Sequence, residues 1–283
     1  MRYLLIHCLL LIGTFSLSAQ QGAEFGTFAG ISHYFGDLNT DFKINKPNVA
    51  FGLVGRYNFN ERVSIKLAGS VGQVEADDAD SNNTFERRRN LNFKSQILDA
   101  SAQIEFNFLP YFHGSRDQFF SPYLFAGFAV TQFNPKTTYC ENTPSLPVAQ
   151  CTGSIAEIEL RPLGTEGQFQ GEEYFTTAGA FAFGAGIKVD INYEWSINLE
   201  ASGRRLFTDY LDDVSTVYPD YNDVENLRGP LAVALADRSV TTPEQIGETG
   251  RQRGNRETKD ALAFFTVGIV YYFGDLKCPR GSQ

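Results

Sequence analysis

Ten charged residues, spaced in steps of two along alternating segments, are the plainest chemistry in this sequence. Arg56, Arg62, Lys66, Lys188 and Arg204 fall on the same side of their segments as Glu24, Asp99, Glu105, Asp190 and Glu200, five of each sign. Balanced charges on one shared face are suited to an internal ion-pair network, since an unpaired buried charge costs several kcal/mol. Cys140 and Cys151 are spaced to close a loop through a disulfide in an exported protein. Catalytic constellations are sparse. His33 stands beside Ser32, but on a strand the two face opposite ways, and His113 falls in a short connection where it is expected to be solvated. The acidic runs Asp77-Asp78-Asp80 and Asp209 to Asp213 have carboxylates suited to a hard cation. Such runs are more often solvated surface, so no metal, cofactor or catalytic residue is assigned.

The elements that must position these residues are strands. Residues 181–191 place Phe181, Phe183, Ile187 and Val189 on one side and Gly184, Gly186, Lys188 and Asp190 on the other. After a turn at 192–194 the alternation restarts at Trp195 and runs to Arg204, which makes a long antiparallel hairpin. Strands of about ten residues exceed the five or six typical of a soluble sandwich. One face is aromatic and aliphatic and the other small and charged, as a lipid-facing wall around a filled polar lumen requires.

The same period recurs at 24–35, 49–59, 62–72, 98–108, 121–133 and 262–273, giving about eight strands. The connections alternate in length, and the long ones cover about 36–47, 75–92, 134–173 and 208–260. These read as outer loops, the one at 75–90 polar and charged enough to be solvated, with a short helix expected at 230–239. The expected fold is therefore all-β: a single antiparallel transmembrane β-barrel of about eight strands, with short periplasmic turns, long outer loops and both termini periplasmic.

Residues 1–19 read as a signal peptide, with Arg2 before an apolar run and small residues ahead of Gln20, leaving 20–283 as the outer-membrane β-barrel domain. Apart from this short leader run, no window is apolar enough for a transmembrane helix, so a membrane span must be a closed barrel. The formal net charge of −9 argues against a general nucleic-acid binder. Arg87-Arg88-Arg89 could meet the anionic sugar-phosphate layer of the outer leaflet. With Cys8 in the leader, Cys278 is left over as a free thiol or a link to a partner.

Three stretches carry a resemblance. They are Ser32-His33-Tyr34-Phe35-Gly36-Asp37-Leu38-Asn39, then Leu206-Phe207-Thr208-Asp209-Tyr210-Leu211-Asp212-Asp213-Val214-Ser215, then Tyr272-Phe273-Gly274-Asp275-Leu276-Lys277-Cys278-Pro279. Together they resemble the outer-membrane β-barrel family of Bacteroidota that includes PorG of the type IX secretion system. The resemblance implies a non-enzymatic component, lodged in outer-membrane lipid, that associates with a periplasmic ring of PorK and PorN. It would put the periplasmic turns and the tail with Cys278 within reach of that ring. The 140–151 insertion has no counterpart in that family's pattern. A free-standing structural barrel or small channel is the alternative, and a lipid-modifying enzyme using His33 a third. In the repeated Tyr-Phe-Gly-Asp-Leu, the aromatic pairs are expected to anchor in interface belts at opposite faces.

Overall fold

A computed structural model describes residues 22–41, 43–44, 46–239 and 246–274. The expected signal peptide and Cys278 lie outside the described residues. Eight strands close a barrel: β1 (Gly22–Phe35), β2 (Asn48–Asn58), β3 (Val63–Asp77), β4 (Asn92–Asn107), β5 (Phe120–Cys140), β7 (Thr177–Asp190), β8 (Trp195–Leu206) and β9 (Ala261–Phe273). A ninth, β6 (Ile155–Glu159), pairs only with the far end of β5. Every pairing is antiparallel. The order runs β4, β3, β2, β1, β9, β8, β7, β5, and β4 pairing with β5 closes the ring, so the barrel has no open edge for lipid to leave unsatisfied.

The alternation in the sequence becomes an inside and an outside. Along β4, Leu98, Ala100, Ala102, Ile104 and Phe106 point out, while Asp99, Ser101, Gln103 and Glu105 point in and are buried. Outward polar residues begin at Gln73, Gln96 and Gln132, which marks one edge of the apolar belt. From Leu98 to Phe108 the belt covers about 34 Å of strand; at the usual tilt near 40° this is roughly 26 Å of height, the thickness of a bilayer's hydrocarbon. The other edge is a girdle of aromatics in mutual contact, with Tyr57 on Phe59, Phe106 on Phe108, and Trp195 and Phe273 on Tyr271. Such rings favour the boundary between lipid and water. This is a membrane-spanning barrel.

Connections at the girdle end are short, including the 59–62 and 191–194 turns, where Asn60 and Asn192 side chains accept backbone N–H bonds. At the opposite end the long connections fold, and the expectation of a solvated loop at 75–90 is overturned, with Asp78, Glu86, Arg89 and Asn90 buried. β3, β4 and β5 run past the belt, and the long connections pack over them with a core that includes Leu38, Val74, Leu91, Phe93, Leu160, Leu211, Val214 and Leu235. Three helices belong to this cap: α1 (Thr84–Arg89), α2 (Tyr221–Arg228) and α3 (Pro230–Ala236). The last falls where a helix is expected. Loops this long fold because strand extensions give them an apolar platform to bury against. A disulfide joins Cys140 to Cys151, with Cα atoms 5.5 Å apart, and ties the tip beyond β5 to the chain entering β6.

Candidate functional site

The lumen is filled, not open. Glu105 lies at its centre with Arg56 Nε at 2.6 Å, Lys188 Nζ at 2.7 Å and Lys66 Nζ at 3.4 Å. Arg56 also pairs with Glu24, and Lys66 with Glu200 at 2.6 Å. The Tyr123 hydroxyl donates to Glu200 at 2.9 Å, and Lys188 lies over the Tyr123 ring. Nearer the cap, Arg204 meets Asp99 at 3.3 Å and Thr131 donates to the same carboxylate. A cavity of about 40 Å³ lies between these layers, lined in part by Gln103 and Ser202, with room for roughly two or three waters.

Two members of the expected ten lie elsewhere. Arg62 stays at the β2–β3 turn, where its guanidinium donates to the Phe108 carbonyl, because the strand begins only at Val63. Asp190 serves a plug instead. His113, expected to be solvated, turns up into the barrel mouth and is 6% exposed. Its ring lies 3.1 Å from Glu24 and 3.2 Å from Asp190, stacked on Tyr272, and Tyr111 also donates to Asp190. Hydrogen bonds and charge from those two carboxylates outweigh burial and raise the imidazole's pKa to about 9.

At the cap end, two of the three stretches behind the family resemblance meet. Gly36, Asp37 and Leu38 leave β1 and face Thr208 to Asp213, which leaves β8. Tyr34, inward like Ser32, donates to Asp212 and, at 3.1 Å, to Asp260. The other Asp260 oxygen accepts from Leu211 N at 2.9 Å, and Asp37 accepts from Asn255 N at 2.8 Å. A side chain at Gly36 would collide with Tyr34 and Asp260, which is why glycine stands there. Leu38 and Leu211 enter the cap core, and Tyr210 stacks on Tyr174 at 4.7 Å. Asp213, at φ 67, accepts from Thr165 and Tyr174.

Two arginines knit the loops around this point. Arg89 makes a two-pronged contact with Asp78 and donates to the carbonyls of Asp37 and Arg253. It is buried and does not face a sugar-phosphate layer. Arg253 meets Glu166 at 3.1 Å and donates to the Asp213 carbonyl. Asp78, Asp209, Asp212 and Asp213 are likewise buried, correcting the expectation of solvated acidic runs at those positions, while Asp77 is half-buried and Asp80 exposed as expected of a surface run. Burial pushes Asp37 and Asp213 up to about 6 and Asp209 to about 7, with neighbouring carboxylates adding to the shift; Asp212 and Asp260 are raised well above the usual range for the same reasons.

The aromatic repeat also departs from expectation. Its tyrosines, Tyr34 and Tyr272, point inward and close the two ends of the lumen; Phe273 alone of the second pair faces the belt. Asp260 and Tyr34 were missed as site members, although both continue the inward series of their strands. His113, Glu166 and Arg253 lie in connections, where no periodicity marks them.

The fold and its contents define a class: a membrane-spanning, lumen-filled eight-stranded barrel with a folded cap. More particularly, residues 2–150 match the family model described as Domain of unknown function (DUF6089), and the chain belongs to that family. None of the curated proteins matches it. Among solved structures it is similar to Ail, the attachment invasion locus protein of Yersinia pestis, at 9% identity and TM-score 0.39, covering 90% of this chain and 99% of that one. It is also similar to Neisserial surface protein A (8%, TM-score 0.41, 89% and 97% covered) and to OprG from Pseudomonas aeruginosa (11%, 0.41, 92% and 98%).

Proposed function

We propose that the protein is a non-enzymatic outer-membrane barrel that works through its two ends, anchoring or assisting a secretion complex of the type IX kind. The observation that carries this reading is the sealed lumen. Glu105 and its three cations fill the middle, His113 and Tyr272 close one mouth, and the cap covers the other. A barrel closed in this way offers surfaces, not a path. The short-turn end, where β1 starts beside the end of β9, is assigned to the periplasm and the cap to the exterior, following the asymmetry of outer-membrane barrels.

The secretion role is supported by the resemblance of residues 32–39 and 206–215 to the family that includes PorG. In that reading the periplasmic turns and the segment with Cys278 face ring proteins of the PorK and PorN kind. Cross-linking in native membranes followed by mild extraction is the test. Recovery of a periplasmic ring protein is the expected result, and recovery of none would leave a free-standing structural barrel. The channel alternative predicts steady conductance in planar bilayers, which the filled lumen opposes. For the enzyme alternative, Ser32 donates to the Gln73 carbonyl inside the barrel, so it is not aimed at His33.

A further inference from the structure

We propose that the exposed side of the cap carries a binding pocket for a neutral sugar, one pyranose ring in size, between the 164–169 turn and α2, with Gln168 and Arg228 as donors and Phe169 as the ring it packs on. This goes beyond the secretion reading, which concerns the opposite end of the barrel, and stands or falls independently of it.

The first observation is the space itself. A cavity of about 160 Å³ opens between the turn and the helix. It has room for roughly ten waters, close to the heavy-atom count of one sugar ring with its hydroxyls.

The second observation is a pair of donors in its wall. Gln168 Nε2 and Arg228 Nε are shut away from bulk solvent, and neither has a hydrogen-bond partner. The rest of each side chain is held fast. Gln168 Oε1 accepts from Glu166 N at 3.2 Å, which fixes the amide so that its nitrogen is the free end, and Arg228 donates to the Pro162 carbonyl at 3.0 Å and meets Glu173 at 2.6 Å. Gly164, at φ 55, keeps the place beside the Arg228 nitrogen clear, since a Cβ there would stand 3.4 Å from it. Buried donors without partners cost free energy, so two of them at one cavity call for an acceptor from outside the chain.

The remaining wall selects the ligand class. Phe169 and Leu227 are 62% and 46% exposed and give the cavity an uncovered aromatic and aliphatic side. Asp223 is exposed, and Asp220 spends one carboxylate oxygen on Asn222 N, at 2.9 Å, and keeps the other. An anionic ligand would meet these two carboxylates against a single arginine that Glu173 already neutralises. A wholly apolar ligand would leave the two buried donors as they are. A neutral sugar answers all of it: its oxygens accept from Gln168 and Arg228, its hydroxyls donate to Asp220 and Asp223, and its C–H face lies on the negative face of the Phe169 ring.

Saturation-transfer NMR on the full mature barrel, folded in a detergent with no sugar headgroup, tests the pocket with the methyl glycosides of glucose, galactose and mannose as probes. At least one should bind with a dissociation constant of roughly 10⁻³ M, the scale for a ligand of about a dozen heavy atoms. Phe169→Ala and Gln168→Leu should each weaken that binding about fivefold while the heat-modifiable band of the folded barrel persists. Methyl glucuronide, the anionic counterpart, should bind more weakly than the glucoside. Should Gln168→Leu fail to fold, Phe169→Ala, at an exposed position, carries the comparison. Binding of none of the three neutral probes, binding unchanged by the substitutions, or tighter binding of the glucuronide would each overturn the proposal.

Discussion

In the lumen, Glu105 lies within 3.4 Å of three cations, and every carboxylate around it has a basic partner. Some way above it, beyond the lipid belt, Asp209 is also buried, and no basic side chain forms a salt bridge with it among the described residues. Both regions are ionic and both are buried, but one is internally neutral and the other carries an excess of acid. The difference teaches where each region's charge is settled. The barrel wall leaves the lumen nowhere to draw counter-charge from, so the strands supply it themselves. The cap borders water, and protons or ions can reach it.

The sharpest way to break this comparison is Glu105→Gln. It leaves Arg56, Lys66 and Lys188 facing one another without their anion, and a loss of about 3–5 kcal/mol is expected, read as a lower urea midpoint in the heat-modifiability assay. A loss under about 1 kcal/mol would show that the lumen admits water or ions and is no more self-contained than the cap. Next comes the disulfide. Cys151→Ser should cost about 2–3 kcal/mol of local order, seen as faster proteolysis between residues 141 and 154 with the barrel band intact.

A pH series separates the two ends of the molecule by sign. Asp37, Asp209 and Asp213 have folded pKa values raised above their unfolded ones, so the folded cap binds extra protons between about pH 4 and 7. Without added divalent ions, cap stability should therefore rise by on the order of 1–3 kcal/mol as pH falls from 8 to 5, followed by hydrogen exchange of cap amides. His113 runs the other way. Its raised pKa contributes stability that is full below about 6.5 and is lost as pH rises through about 9, so the short-turn mouth should loosen only in alkali. The smallest effect belongs to Arg62→Ala. Standing at the turn and outside both assemblies, it should change stability by no more than about 0.5 kcal/mol.

Much of the barrel was legible because a strand's period of two is enforced by every pleat. Phe181 against Lys188, or Leu98 against Asp99, can be sorted to lipid or lumen without coordinates, and Tyr34 and Asp260 follow the same rule once it is carried to the strand ends. Cys140 and Cys151 were legible for a different reason, two thiols in one insertion of an exported chain. The connections were not, because a loop has no period and its polarity says only that water is permitted. Asp78, Arg89 and Glu166 look like surface residues in the sequence and are buried in the cap.

The sequence by itself determined that this chain alternates and presents an apolar wall, because those properties are local and repeat. Only the tertiary structure decided which charges meet. Glu105 gathers Arg56, Lys66 and Lys188 from three other strands, and Tyr34 at the end of β1 joins Asp212 and Asp260 from the two ends of the β8–β9 connection. Pairing across a lumen depends on shear and closure, and packing over a barrel mouth depends on what the other loops leave uncovered. Neither quantity is written in any one stretch of residues.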